Sequence, residues 1–93
     1  MKTLTLKDTQ TGRIRESVVS ENQWKNKETA IEIRKGNFAR LLVKEEMQKQ
    51  GIEFEMNVPK NENKRKEFFL KSEKRADLIE FVSIENRKSF SGR

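Results

Sequence analysis

The sequence predicts a small α+β domain, an antiparallel sheet of two hairpins with two helices packed on one face. Three observations lead there. Leu4 and Leu6 alternate with polar residues ahead of a Thr11-Gly12 turn; Ile52, Phe54, Met56 and Val58 alternate strictly; and two further segments repeat apolar residues at three- and four-residue steps. With 93 residues and 32% hydrophobic side chains, the chain has material for one thin core and not for two. Residues 1–86 are read as that single domain and 87–93 as a flexible polar tail.

The first hairpin takes the first nineteen residues: Leu4 and Leu6 run out, Asp8 to Gly12 supplies turn chemistry, and Ile14 through Val19 returns. The stretch from Ser20 to Lys27 is polar apart from Trp24. Glu28 to Arg34 reads two ways. Ala30, Ile31 and Ile33 open a helix running on to Gln50, or Thr29, Ile31 and Ile33 line a short strand ending near Gly36. A mid-helix Gly costs about 1 kcal/mol relative to Ala and Asn37 is a competent N-cap, so periodicity leaves both open. A helix is expected from Phe38 to Gln50, with Gly51 at the left-handed position that follows a helix. Ile52 to Val58 reads as a half-buried strand ended by Pro59. Lys60 to Lys66 then forms the tip of a second hairpin, whose return strand, Glu67 to Lys71, carries Phe68, Phe69 and Leu70. Ser72 caps a final helix with Ala76, Leu78, Ile79, Phe81 and Val82 on its apolar face.

The chain has no Cys, His or Tyr, which removes the usual nucleophiles, general bases and soft metal ligands. Glu62-Asn63-Lys64 matches half of a metal-dependent nuclease site, but no strand-borne acid stands upstream to complete it, and the four glycines form no phosphate loop. A non-enzymatic protein without metal or cofactor is expected. Without cysteine there is no disulfide scaffold, and neither a membrane span nor a signal-peptide apolar run is visible, so a cytoplasmic location is the default. Abundant Lys, Glu and Asn with a single Pro59 is a composition common in small proteins of AT-rich bacteria and their phages.

Lys and Arg number 21 against 15 Asp and Glu, a net charge of +6 that favours polyanionic partners. Two segments concentrate it. Lys60, Lys64, Arg65 and Lys66 crowd the expected hairpin tip, partly offset by Glu62 and Glu67; Gln23-Trp24-Lys25-Asn26-Lys27 sets two cations beside amides and an aromatic ring. Lysines serve phosphates, amides reach sugars or base edges, and Trp24 stacks on a base. The leading expectation is nucleic-acid binding, RNA before DNA. The alternative belongs to a different class: a small regulatory or inhibitory protein, of phage type, docking on a larger host protein. Phe68 and Phe69 are adjacent, so on a strand they face opposite sides and one is left over as an interface anchor, which homodimerisation would also bury.

Thr11-Gly12, then Gln23-x-Lys25-Asn26-Lys27 and Ala30, resembles the latter half of the catalytic domain of bacterial peptide chain release factors. There a strand and a Thr-Gly turn lead to an Arg-Ser-Gln-x-Lys-Asn-Lys segment that opens a long helix and contacts ribosomal RNA. The resemblance covers roughly residues 4–45. It implies an RNA-contacting role for Gln23, Lys25, Asn26 and Lys27, and a single helix from Glu28 to Gln50. In place of the family's Arg-Ser stands Glu21-Asn22, and the Gly-Gly-Gln loop that triggers peptidyl-tRNA hydrolysis is not in this sequence. What is implied is therefore RNA or ribosome contact, not termination.

Overall fold

Alternation dictates the first two strands. In the computed structural model, which describes residues 1–86, β1 (Lys2–Asp8) and β2 (Ile14–Val19) pair antiparallel from Lys2 opposite Val19 to Lys7 opposite Ile14. The tail expected over 87–93 lies outside the described residues. Leu4, Leu6 and Asp8 are fully buried on the inner face, while Thr3, Thr5 and Lys7 share the outer face with Val18, Glu16 and Ile14. The turn is closed by Gly12 N–H donating to the Asp8 carbonyl at 2.7 Å. Gly12 takes φ +81°, where a side chain would be strained.

A short α1 (Glu21–Trp24) is held by a capping box: Ser20 Oγ accepts from Gln23 N–H, and Ser20 N–H donates to Gln23 Oε1. α2 (Lys27–Lys49) comes next as one unbroken helix. This settles the Glu28–Arg34 ambiguity as helix and places Asn37 inside it rather than at its start. Asn26 is the actual cap, its Oδ1 accepting from Thr29 N–H at 3.2 Å. Packing outweighs the penalty at Gly36, since Ala30 and Ile31 join a core shared with Trp24 while Phe38, Ala39 and Leu42 close on Leu4, Leu6, Val19 and Ile79.

Five expectations past Gly51 need correction. The run Ile52–Val58 is not one strand. It bends at Met56-Asn57 (φ 53° and 73°) into a two-residue ribbon, β3 (Phe54–Glu55) and β4 (Val58–Pro59), with Glu55 opposite Val58. Both turn residues have positive φ, as a two-residue hairpin loop needs, so Met56 is left 89% exposed while Ile52, Phe54 and Val58 pack inward. Glu67–Lys71 is not a return strand, and Lys60–Lys66 is not a hairpin tip. Asn61 Oδ1 accepts from Lys64 N–H and caps α3 (Glu62–Ala76), with Glu62 in the first turn and Lys74 and Arg75 in the last. Glu67 binds Lys64 and Lys71 at helical spacing on its surface. Ser72 is therefore a buried mid-helix residue, not a cap.

The final apolar run is a strand, β5 (Ile79–Asn86), lying antiparallel to β1. The sheet has order β2-β1-β5, with β3 and β4 apart as their own ribbon. The α+β class with an antiparallel sheet and packed helices holds, but one hairpin and β5 make that sheet, not two hairpins. α3 packs mainly against α2. A second core forms there from Val43, Met47 and Phe68, with Phe54 edge-on to Phe68 at 5.5 Å.

One polar contact crosses the inner layer. Arg75 clasps Asp8 through Nε–Oδ1 at 3.2 Å and Nη2–Oδ2 at 2.9 Å, and its Nη1 reaches Glu46 Oε2 at 2.7 Å. Asp8 also accepts from Thr11 Oγ1 and Gln10 N–H. Burial pushes the Asp8 carboxyl up, and these donors more than offset it, holding it at about 2. Ends of β1, α2 and α3 are thereby tied at one point.

Candidate nucleic-acid interface

The two basic segments do not meet. Gln23 to Lys27 surrounds the N-terminus of α2. Lys60 to Lys66 sits beyond its C-terminus, where Ile52 N–H bonds the Met47 carbonyl and Lys60 N–H bonds the Glu53 carbonyl. At 1.5 Å per residue α2 is about 35 Å long, and the two segments lie toward its opposite halves. The second segment is also largely occupied. Lys60 pairs with Glu53 at 3.6 Å, Lys64 with Glu67 at 3.5 Å, and Arg65 donates to the carbonyls of Pro59 and Lys60. The Glu67 carboxyl is held below the usual glutamate range by Lys71 and Lys64. Lys66 alone of the four is exposed and outside these pairings.

Of the aromatic residues singled out in the sequence, Trp24 is half-buried against the main core. Phe68 is 1% exposed, whereas Phe69 is 48% exposed. Both lie on α3, so the expected sheet face bearing one of them does not exist; helical geometry sends Phe68 inward and Phe69 to the flank.

Cations gather instead along the outer face of α2. Ile33, Asn37, Arg40, Leu41, Lys44 and Gln48 succeed one another at helical steps. The helix's carboxylates lie off this stripe. Glu32 pairs with Lys35, Glu46 turns to Arg75, and Glu45, at the border, is matched by Arg13 at 2.5 Å. Arg15, paired with inward-facing Leu6 on edge strand β2, reaches toward the helix from the side. Among the described residues Arg15, Arg40 and Lys44 have no carboxylate partner.

Two recesses sit on this face. One, about 270 Å³, is lined by Arg15, Asn37, Arg40, Leu41, Lys44, Asn57 and Phe68. The other, about 210 Å³ and mostly apolar, lies one to two turns earlier between Gln23, Asn26, Thr29, Ala30, Ile33 and Arg34. Arg34 is fixed there by bonds to the Val18 carbonyl (3.2 Å) and Gln23 Oε1 (3.0 Å). Lys25 and Lys27, exposed, flank Asn26 of this recess in sequence. Part of the predicted segment (Gln23, Asn26) thus lines a recess of the strip, and Lys60, Lys64, Arg65 and Lys66 line neither recess. Sequence pattern does not single out Arg15, Arg34, Asn37, Arg40, Lys44 or Asn57. The acid-free polar stripe of α2 is readable once the helix is known to begin at Lys27, but Arg15 and Asn57 arrive only through tertiary contact.

Elsewhere cations and acids interleave. α3 carries the Lys64–Glu67–Lys71 cluster with Glu73 and Asp77, and the outer sheet face mixes Lys7 with Glu16, Glu80 and Glu85. Among the described residues no three His, Cys, Asp or Glu side chains gather to hold a metal ion, and no helix is long and apolar enough to cross a membrane. Comparison with protein-family models, curated proteins and solved structures gives no match for this chain.

Proposed function

We propose that this is a small, non-enzymatic, cytoplasmic RNA-binding protein whose interface is the outer face of α2 with the β2 edge. The observation that carries the reading is the grouping of Arg15, Arg40 and Lys44 around one recess whose lining holds no carboxylate, while α3 and the outer sheet face mix both signs. Cations not matched by acids attract phosphates and release their counterions on binding. Lys25 and Lys27 extend the field toward the N-terminus of α2, and the recesses receive bases or sugars beside the backbone. RNA is preferred over DNA because Gln23, Lys25, Asn26 and Lys27 resemble the ribosomal-RNA-contacting segment of release factors. Filter binding of single-stranded RNA over a salt series tests this. Affinity should fall steeply with salt, and salt-insensitive binding would exclude the mechanism.

A second reading, docking on a larger protein, has its own observation. Phe69 and Leu70 are neighbours on α3, 48% and 60% exposed. Under that reading Phe69→Asp abolishes capture of the partner and leaves the fold intact.

A further inference from the structure

Four amide side chains line the two recesses of the α2 strip, and each has its oxygen turned to an internal donor. Gln23 Oε1 accepts from Ser20 N–H (3.2 Å) and Arg34 Nη2 (3.0 Å), and Asn26 Oδ1 accepts from Thr29 N–H (3.2 Å). Asn37 Oδ1 accepts from Arg40, and Asn57 Oδ1 from Lys44 Nζ at 2.9 Å. Chemistry forces this orientation: backbone N–H, guanidinium and ammonium groups only donate, so the oxygen must face them. Each amide therefore turns its NH2 away from its internal partner. With Arg15, Arg40 and Lys44 between them, the recesses offer donors and hold no carboxylate in their lining, and Glu45 at the border is taken by Arg13.

We infer that this strip selects keto bases, guanine and uracil or thymine, over the amino bases adenine and cytosine, in single-stranded nucleic acid. The inference rests on the RNA-binding reading above. Guanine shows O6 and N7 as acceptors, and uracil shows O4 as thymine does. Adenine is read by an amide through two bonds, one of which needs the amide oxygen for its N6 amino group, and cytosine N4 also needs an acceptor. In these recesses the oxygens face internal donors, so an amide cannot present its oxygen and its NH2 together to one base. Unpaired bases are required because the larger recess lies between α2, Arg15 of β2 and Asn57 of the β3–β4 turn, and the smaller one between α1 and α2. The helix does not project as a ridge that could enter a duplex groove.

Fluorescence anisotropy of the full chain with labelled oligo(U) and oligo(GU), against oligo(A) and oligo(AC), each of about a dozen nucleotides, tests this directly. The keto-rich pair should bind about 10-fold tighter, the value of one well-made base contact. Asn37→Ala with Asn57→Gly, the latter keeping the left-handed turn, should flatten that difference. Oligo(dT) separates the sources: binding as tight as oligo(U) extends the selection to DNA, and weaker binding confines it to RNA. Equal affinity for all four RNAs with a steep salt dependence overturns base selection and leaves the RNA-binding reading standing. No binding to any of them overturns both.

Discussion

Asp8 and Arg75, 67 residues apart, meet in a two-bond clasp with both side chains buried. The contact joins the end of the first strand to the last turn of the last helix, and the Glu46 bond adds α2. Its worth lies less in the attraction than in the cost of losing one partner. Charges removed from water are tolerated only while matched.

Asp8→Ala should therefore destabilise the protein by about 3–5 kcal/mol, because Arg75 would stay buried with one carboxylate instead of two. Replacing both residues with apolar side chains, as in Asp8→Leu with Arg75→Met, should recover much of that loss. Urea unfolding of the two variants compares them. A double variant no better than the single would show that the clasp adds stability beyond satisfying its own burial.

Acid should expose the same contact. The Asp8 carboxyl sits at about 2 in the folded protein against an ordinary value of 3.8. A depressed folded value contributes stability that is complete above the unfolded value and disappears as pH falls through the folded one. The contribution, about 2 kcal/mol at neutral pH, should vanish between about pH 4 and pH 2. In Asp8→Asn the stability curve should be flatter over that window, read by thermal unfolding at each pH.

Met56 carries a local penalty. It is a non-glycine residue at φ 53° and 89% exposed, so its side chain gains little from burial. Met56→Gly should stabilise the protein by about 1 kcal/mol by relieving the left-handed strain. A loss of stability would show that the side chain or the stiffness of the turn matters more.

Some of this fold is legible in the sequence, and the illegible parts have definite causes. Leu4 and Leu6 announce β1 because one face is buried and one wet, and the apolar face from Phe38 to Met47 announces the body of α2. β5 imitates a helix in sequence because its register shifts at a bulge. Ile79, Phe81 and Ile84 all face inward with Val82 as the extra residue, so the two-residue period becomes a three-residue step. α3 imitates a strand because Phe68-Phe69-Leu70 is an unbroken apolar triplet with no period, and the cap at Asn61 has the look of loop chemistry. Of the candidate interface, the Gln23–Lys27 end is visible as composition. Its centre is not, since Arg15, Arg40 and Asn57 come from three separated stretches that only folding brings to one recess.

The exposed flank of α3 offers a check on where partners bind. Because Phe69 lines a recess with Arg40, its neighbour Leu70, 60% exposed, is the cleaner position: Leu70→Asp on α3 should leave RNA affinity within about twofold. A large loss of RNA binding in this variant would place the interface on the wrong helix.

The salt dependence of oligo(U) binding in two paired variants bears most directly on the proposed interface. Arg40→Ala with Lys44→Ala removes two unmatched cations from α2, whereas Lys64→Ala with Lys66→Ala removes two from α3 and leaves the strip intact. Each phosphate contact on a single strand contributes about 0.7 to the slope of log affinity against log salt. The first pair should weaken binding and lower the slope by about 1.4, and the second should leave the slope unchanged. The reverse pattern, with the slope lost on α3 and kept on α2, would contradict an interface on α2.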